Sequence, residues 1–304
     1  MRATAVRDPE AIGVRAPGEP WTILSLILWS ADYLTGKGVE SGRLDAEHLI
    51  AEALGKARLE LYLQFDRPLA AEELATFKPL LLRRGRREPL QYIVGRTGFR
   101  ELELKTDRRA LIPRPETETL VGEVLAWAAD RDGLMSAIDI GTGTGAIALS
   151  LVTEGAFARV VGTDSSEEAL DLARENAGAA GVDGALELRA GSLFEPLDPG
   201  ERFDVVVSNP PYVPDGDAPD LAPEITEWEP PGALFAGPDG LDVIRALVME
   251  APDRLKDGGL LALEVGDGQA DDVAGLIRQR QAFSEPVVRK DLTGRPRVVM
   301  AVRE

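Results

Sequence analysis

Apolar residues recur at helical spacing through residues 22–87. TILSLILWSADYL carries such a stripe, and AEHLIAEALG repeats it, with Asp45 expected as its N-cap and Gly55 as its stop. A short LELYLQF segment follows, then AAEELATFKPLLLRRGRRE, which ends in Arg83, Arg84, Arg86 and Arg87. Such a cluster suits either a solvated last turn facing the helix dipole or a contact for an acidic or nucleic-acid-bearing partner. Residues 89–118 change character: FRELELK alternates, and Gly and Pro punctuate the stretch, which predicts a β-hairpin linker.

Beyond it, strands and amphipathic helices take turns. Helix TETLVGEVLAWAAD precedes strand SAIDIG, helix AIALSLVTEG, strand RVVGTD, helix SEEALDLARENAGAAG and strands ALELRAG and FDVVVSN. After a Pro-rich loop come helix LDVIRALVMEAPDRL, strand GLLALEVG, helix QADDVAGLIRQR and a final strand pair near PVVRKD and RVVMAV. This order predicts an α/β fold with a parallel, doubly wound sheet behind a small N-terminal helical domain. The expected boundaries are a mobile tail at 1–20, a helical domain at 21–88, a hairpin linker at 89–112 and the α/β domain at 113–304.

Charge sharpens the division. The 304 residues hold 34 Lys+Arg against 52 Asp+Glu, a net charge of −18. Residues 1–95 are balanced, so the whole excess falls on 96–304. A unit that acidic disfavours a polyphosphate backbone, so direct nucleic-acid binding is not expected. With no cysteine and one histidine, His48, neither thiolate nor multi-histidine metal sites can form, and no metal is expected. His48 sits mid-helix and reads as structural. No apolar run spans a membrane, and the opening segment lacks an apolar signal core, so a cytoplasmic protein, monomeric by default, is expected.

The first chemical signal is Asp139-Ile140-Gly141-Thr142-Gly143-Thr144-Gly145, between a short strand and a helix. Glycines at 141, 143 and 145 let the backbone turn sharply and meet a ligand closely. Asp164 ends the next strand, where a carboxylate can accept both ribose hydroxyls. The pattern suits S-adenosylmethionine but also admits NAD or a packing turn; a P-loop is excluded, because no Gly-Lys-Ser/Thr follows.

The second signal is Asn209-Pro210-Pro211-Tyr212 at the end of strand FDVVVS. Asn209 and the Pro210 carbonyl offer two acceptors for a planar NH2 group. The prolines stiffen the turn and remove two donors, and Tyr212 offers an aromatic face. Holding both N–H bonds aims a delocalised nitrogen's lone pair at a methyl group, so no histidine base is needed. Together the two signals resemble amino-methyltransferases acting on nitrogen conjugated to a π-system, whether glutamine, adenine or guanine; a non-catalytic S-adenosylmethionine-binding regulator would be expected to carry a degraded tetrad.

Over about residues 22–302 the chain resembles the HemK/PrmC family of protein-glutamine N5-methyltransferases. The resemblance rests on DAEHLIAEALG, PLQYIVG, LIPRPETE, IDIGTGTGAIALSL, SNPPYV, EPPGALFAGPDGLD and GGLLALEVG. Sister enzymes acting on a ribosomal-protein glutamine typically have Pro-Arg-Ser-Pro where this chain has Pro113-Arg114-Pro115-Glu116. The resemblance implies a methyltransferase domain at 113–304 and, as substrate, the Gly-Gly-Gln glutamine of class I peptide chain release factors, with the helical domain helping to hold it. It implies Asp139, Gly141, Thr142, Gly143, Thr144, Gly145, Asp164, Phe194 and Asn209 at the cofactor, and Asn209, Pro210, Pro211 and Tyr212 at the glutamine amide. Asn209, Pro210 and Tyr212 would be catalytic. Ser192 departs from relatives that often carry Asp, replacing a carboxylate with a hydroxyl acceptor. Glu116 and Glu118 fit either a helix first turn or the cofactor mouth, and Trp228-Glu229-Pro230 either a loop brace or a substrate contact.

Overall fold

The computed structural model describes residues 19–182 and 184–304, so the mobile tail expected at 1–20 lies almost wholly outside the described residues. The chain divides into two units. One reaches Gly95 and also takes in Pro223–Trp228; the other comprises Arg96–Ala222 and Glu229–Glu304.

The first unit is helical: α1 (Ile23–Gly36), α2 (Gly42–Leu54), α3 (Arg58–Tyr62), α4 (Ala71–Gly85) and α5 (Leu90–Val94). Thr22 and Ser25 close a reciprocal capping box that starts α1. The α1 stripe Ile23, Leu26, Ile27 and Leu34 packs with Leu49, Ile50, Leu61, Phe77 and Leu81. Gly55 ends α2 in the left-handed conformation (φ 60°), as its position suggests.

Asp45 departs from expectation. The helix begins three residues earlier, at Gly42, and the Asp45 carboxylate accepts from Ser41 Oγ (2.8 Å) and Arg84 Nε (2.6 Å) instead of capping. The arginine cluster also differs from both readings of it. Arg84 is buried, and its Nη1 donates to Glu224 (2.9 Å); Arg87 grips the same carboxylate with two donors, and Arg83 pairs with Glu88. Three of the four arginines are thus engaged inside the unit, and Arg86 is exposed. Tertiary pairing of buried charge overrides the local dipole effect, because an unpaired charge below the surface is far costlier.

The second unit opens with a hairpin, β1 (Arg96–Phe99) against β2 (Leu102–Lys105), shorter than the linker expected at 89–112, whose first residues form α5 of the first unit; α6 (Pro115–Ala129) follows. Then come β3 (Met135–Ile140), α7 (Ala146–Glu154), β4 (Phe157–Asp164), α8 (Glu167–Ala180), β5 (Leu186–Ala190) and β6 (Phe203–Ser208). After β6 the chain supplies α9 (Pro223–Thr226) to the first unit and returns as α10 (Asp242–Arg254), β7 (Leu255–Glu264), α11 (Ala270–Arg280), β8 (Val287–Lys290) and β9 (Pro296–Val302). The seven-stranded sheet runs β5-β4-β3-β6-β7-β9-β8. Alternate β6 residues serve opposite faces: Val205 and Val207 join Val121 and Leu149, while Val206 joins Ile244 and Ile277.

The sheet is mixed rather than wholly parallel. β9 lies antiparallel to both β7 and β8. The cause is local: only five residues join β8 to β9, with Asp291 accepting from the Thr293 and Arg295 N–H groups, and so short a turn can link only antiparallel neighbours. Strand order reverses between β3 and β6, so the crevice where such sheets take ligands opens at their carboxyl ends. Among the described residues, no helix is long and apolar enough to cross a membrane.

Replacing Arg84 with alanine leaves the buried Asp45 carboxylate with only its Ser41 bond and removes one of the three arginine donors on Glu224, which Arg87 still holds. Denaturant unfolding of the helical unit is expected to register a loss on the order of 3 kcal/mol, against less than about 0.5 kcal/mol for Arg86→Ala. Equal midpoints for the two variants would contradict the clamp.

Candidate active site

A cavity of about 440 Å³ opens at this crevice, within the second unit. Its floor is the turn after β3. Gly141, Gly143 and Gly145 all have positive φ (72°, 56° and 83°), a conformation other side chains rarely adopt. Gly141, Thr142, Gly143 and Thr144 line the cavity. Gly145 does not; a Cβ there would press on Leu149 and Ala173, so it serves the seating of α7.

Asp139 also stands behind the cavity wall. It is fully buried, and its Oδ2 accepts from Thr142 Oγ1 (2.7 Å) and the Ala148 N–H (3.2 Å). Burial pushes this carboxyl up to about 7. Asp139 therefore braces the loop from beneath instead of lining the ligand space. It also occupies one donor in the first turn of α7, the Ala148 N–H.

Asp164, at the end of β4, lines the cavity. Each of its oxygens accepts one backbone N–H, from Gly143 and from Ser166 (both 2.9 Å), which fixes the carboxylate and leaves lone pairs for ribose hydroxyls. Phe194 does not reach the space. It is 1% exposed and packs with Ile138, Ile140 and Val161, while Ser192 and Leu193 form the wall. Leu193 adopts φ 50°, and Thr163 Oγ1 holds its carbonyl (3.1 Å), so a one-residue twist exchanges which side chain faces inward. With apolar Ala169 and Leu111 nearby, the lining offers a carboxylate, a glycine floor and a flat apolar slot. This donor set fits S-adenosylmethionine.

The tetrad lies opposite. Ser208 Oγ donates to the Ile140 carbonyl (2.7 Å), tying the end of β6 to the end of β3. Asn209, Pro210 and Pro211 line the cavity. Asn209 Nδ2 donates to Thr117 Oγ1 (3.0 Å), whose hydroxyl donates to Glu264 Oε2 (2.7 Å). Neither Asn209 Oδ1 nor the Pro210 carbonyl accepts a hydrogen bond among the described residues.

Tyr212 differs from expectation. It does not line the cavity; its ring packs against the core and its hydroxyl points to Glu264 Oε1 (3.4 Å). Burial, then the Glu264 charge, push the phenol well above its usual range. Gln269 Nε2 holds the Tyr212 carbonyl (2.9 Å), and a Cβ on Gly240 would come within 2.2 Å of that oxygen. Tyr212 thus clamps the turn from behind.

Thr117 and Glu264 escaped the sequence reading, although both lie in strings that carry the resemblance. Nothing in the spacing of a threonine in a first helical turn and a glutamate ending a strand predicts their meeting. Glu229 is a loop brace: buried, it takes Arg114 as partner, while burial raises its carboxyl. Its neighbour Pro230 lines the cavity. Glu116 and Glu118 occupy the first turn of α6 and do not line the cavity; Glu118 accepts from the Arg100 N–H. His48 is half-buried in the helical unit, its proton affinity lowered by burial and by Arg58.

Family models match both units. The PrmC N-terminal domain matches residues 25–95 and a methyltransferase domain residues 131–283. A release factor glutamine methyltransferase of Geobacter sulfurreducens is 44% identical over 281 residues, covering 92% of this chain and 96% of the relative. Its counterpart in Caulobacter vibrioides is 40% identical over 287 residues, covering 93% and 97%. The crystal structure of a methyltransferase from Pyrococcus furiosus shares the fold, with TM-score 0.50 at 21% identity over 66% of this chain and 89% of that one. The chain belongs to the release factor glutamine methyltransferase family.

Proposed function

We propose that this protein methylates the side-chain amide nitrogen of the Gly-Gly-Gln glutamine in class I peptide chain release factors, with S-adenosylmethionine as donor. One observation carries the assignment of the residues. Asn209 has its NH2 engaged by Thr117, and its oxygen, like that of Pro210, accepts no hydrogen bond among the described residues. Two adjacent acceptors on one cavity wall match the two hydrogens of a carboxamide.

Asp164 would hold the ribose, the glycine turn the methionine portion, and Leu193 and Ser192 the adenine side. When bound, S-adenosylmethionine supplies a methyl group made electrophilic by its positive sulfur. Asn209 Oδ1 and the Pro210 oxygen hold the substrate N–H bonds, which orients the nitrogen lone pair toward the cofactor side; such positioning can supply roughly 7–11 kcal/mol in favourable cases. Positive charge that gathers on the nitrogen meets two fixed carbonyl dipoles. An alkylated amide nitrogen is acidic enough to release its proton to water, so no side-chain base is called for. The acidity of residues 96–304 supports a protein substrate over nucleic acid.

Incubation with methyl-labelled S-adenosylmethionine should label a release factor with intact Gly-Gly-Gln and leave DNA unlabelled; the reverse would overturn the reading. Asn209→Ala is expected to lower kcat about 10²–10³-fold while calorimetry finds cofactor affinity nearly unchanged. Asp164→Ala should instead weaken cofactor binding about 10-fold or more, since hydrogen bonds to a charged acceptor are lost. Unaltered affinity in that variant would remove Asp164 from the site.

A further inference from the structure

Asn209 can act as an acceptor only in one of two orientations. A primary amide has nearly the same shape either way round, and turning it over would present NH2 to the cavity, a donor facing the donors of the substrate. The orientation is decided by the polarity of the chain behind it. Thr117 has a single hydroxyl proton, and at 2.7 Å that proton goes to Glu264 Oε2. Its oxygen is then left only lone pairs for Asn209, which must answer with Nδ2 at 3.0 Å. Glu264 is fully buried behind the cavity, and Thr117, only 4% exposed, stands at the cavity wall between it and Asn209.

We propose that Glu264 is a positioning residue that, through Thr117, locks the Asn209 amide with its oxygen toward the cavity. The proposal rests on the acceptor role assigned to Asn209. Ionised, Glu264 offers only acceptors and enforces this polarity. Protonated, it can donate to Thr117, which frees the threonine proton for Asn209 Oδ1 and permits the unproductive orientation. The relay is therefore a proton-sensitive element set behind the substrate groove.

The surroundings place the sensitivity in a useful range. Burial raises the Glu264 carboxyl to about 7, against the lowering effects of the Thr117 bond and of Arg297 on β9. The charge of Glu116 on α6 contributes to that rise, and the weak hydrogen bond donated by Tyr212 from the turn after β6 opposes it. Arg297 is itself held by the Val265 carbonyl and Asp291, and Arg114 acts on Tyr212. The group is thus protonated below neutrality, and amide orientation loses its constraint there.

The test compares the whole protein with Asn209→Ala, Thr117→Val, Thr117→Ser and Glu264→Gln, using a release factor as substrate. Kinetics run from pH 5.5 to 9, alongside cofactor calorimetry and thermal unfolding. Wild type should lose kcat/KM about tenfold per pH unit below about pH 7. Glu264→Gln should show a lower, flat profile without that limb, and its unfolding temperature relative to wild type should be higher at pH 8 than at pH 5, because a buried charge has been removed. Thr117→Val should reduce kcat about 10- to 100-fold with cofactor affinity within about twofold, and Thr117→Ser should recover most of it. An acid limb unchanged in Glu264→Gln, or wild-type kcat in Thr117→Val, would overturn the relay if Asn209→Ala is inactive. Full activity in Asn209→Ala would instead overturn the acceptor role itself.

Discussion

A carboxamide can be held for alkylation only by a partner that presents oxygen, and on the proposed reading that partner is Asn209, itself a carboxamide that must be kept from turning over. The hydrogen-bond chain from Asn209 through Thr117 to Glu264 supplies that constraint. The other parts of the substrate wall depend on it. The Ser208–Ile140 bond sets where β6 ends, the two prolines stiffen the turn beyond Asn209, and Gln269 with Gly240 clamps Tyr212 so that this turn cannot drift. Thr117, Ile140 and Ser208 line the cavity beside Asn209 and Pro210, whose oxygens accept no hydrogen bond among the described residues.

A second theme is the burial of carboxylates around the site. Asp139 and Glu264 are both pushed up to about 7, and Glu229 is raised as well, in each case mainly because burial disfavours the charged form. For a carboxyl whose folded value exceeds its unfolded one, the folded chain binds the proton more tightly. Stability contributed by the protonated form is therefore complete below the unfolded value and falls as pH rises toward about 7. Near neutrality these acids oppose folding, and the two apolar clusters on either sheet face offset them. Asp139 meanwhile braces the glycine turn from below, and Glu264 accepts from Thr117 beside Asn209.

Much of this architecture is legible along the chain. Periodicity locates the helices and strands because each buries a face set by its own repeat, as in the α1 stripe and the alternating β6 valines. Its failures share one cause. Asp45 resembles a cap because the sequence does not reveal that Arg84, 39 residues away, claims it. The arginine cluster reads as solvated or free for a partner because Glu224 lies 140 positions on. Tyr212, read from the motif, and Phe194, implied by the resemblance, stand as ligand contacts in the sequence because neither source labels the direction an aromatic faces.

By itself the sequence determined the local chemistry: glycines where the backbone must turn left-handed, an acid at a strand end, two prolines that withhold donors beside an asparagine. These properties belong to residues and their immediate neighbours, so no distant contact can alter them. Tertiary structure alone decided which side chains enter the cavity and which brace it, and it alone brought Thr117 and Glu264, 147 positions apart, into one hydrogen-bond chain. The reason is directional. A hydrogen bond depends on which atom donates, and donors and acceptors this far apart find their polarity only when the sheet closes and water is excluded.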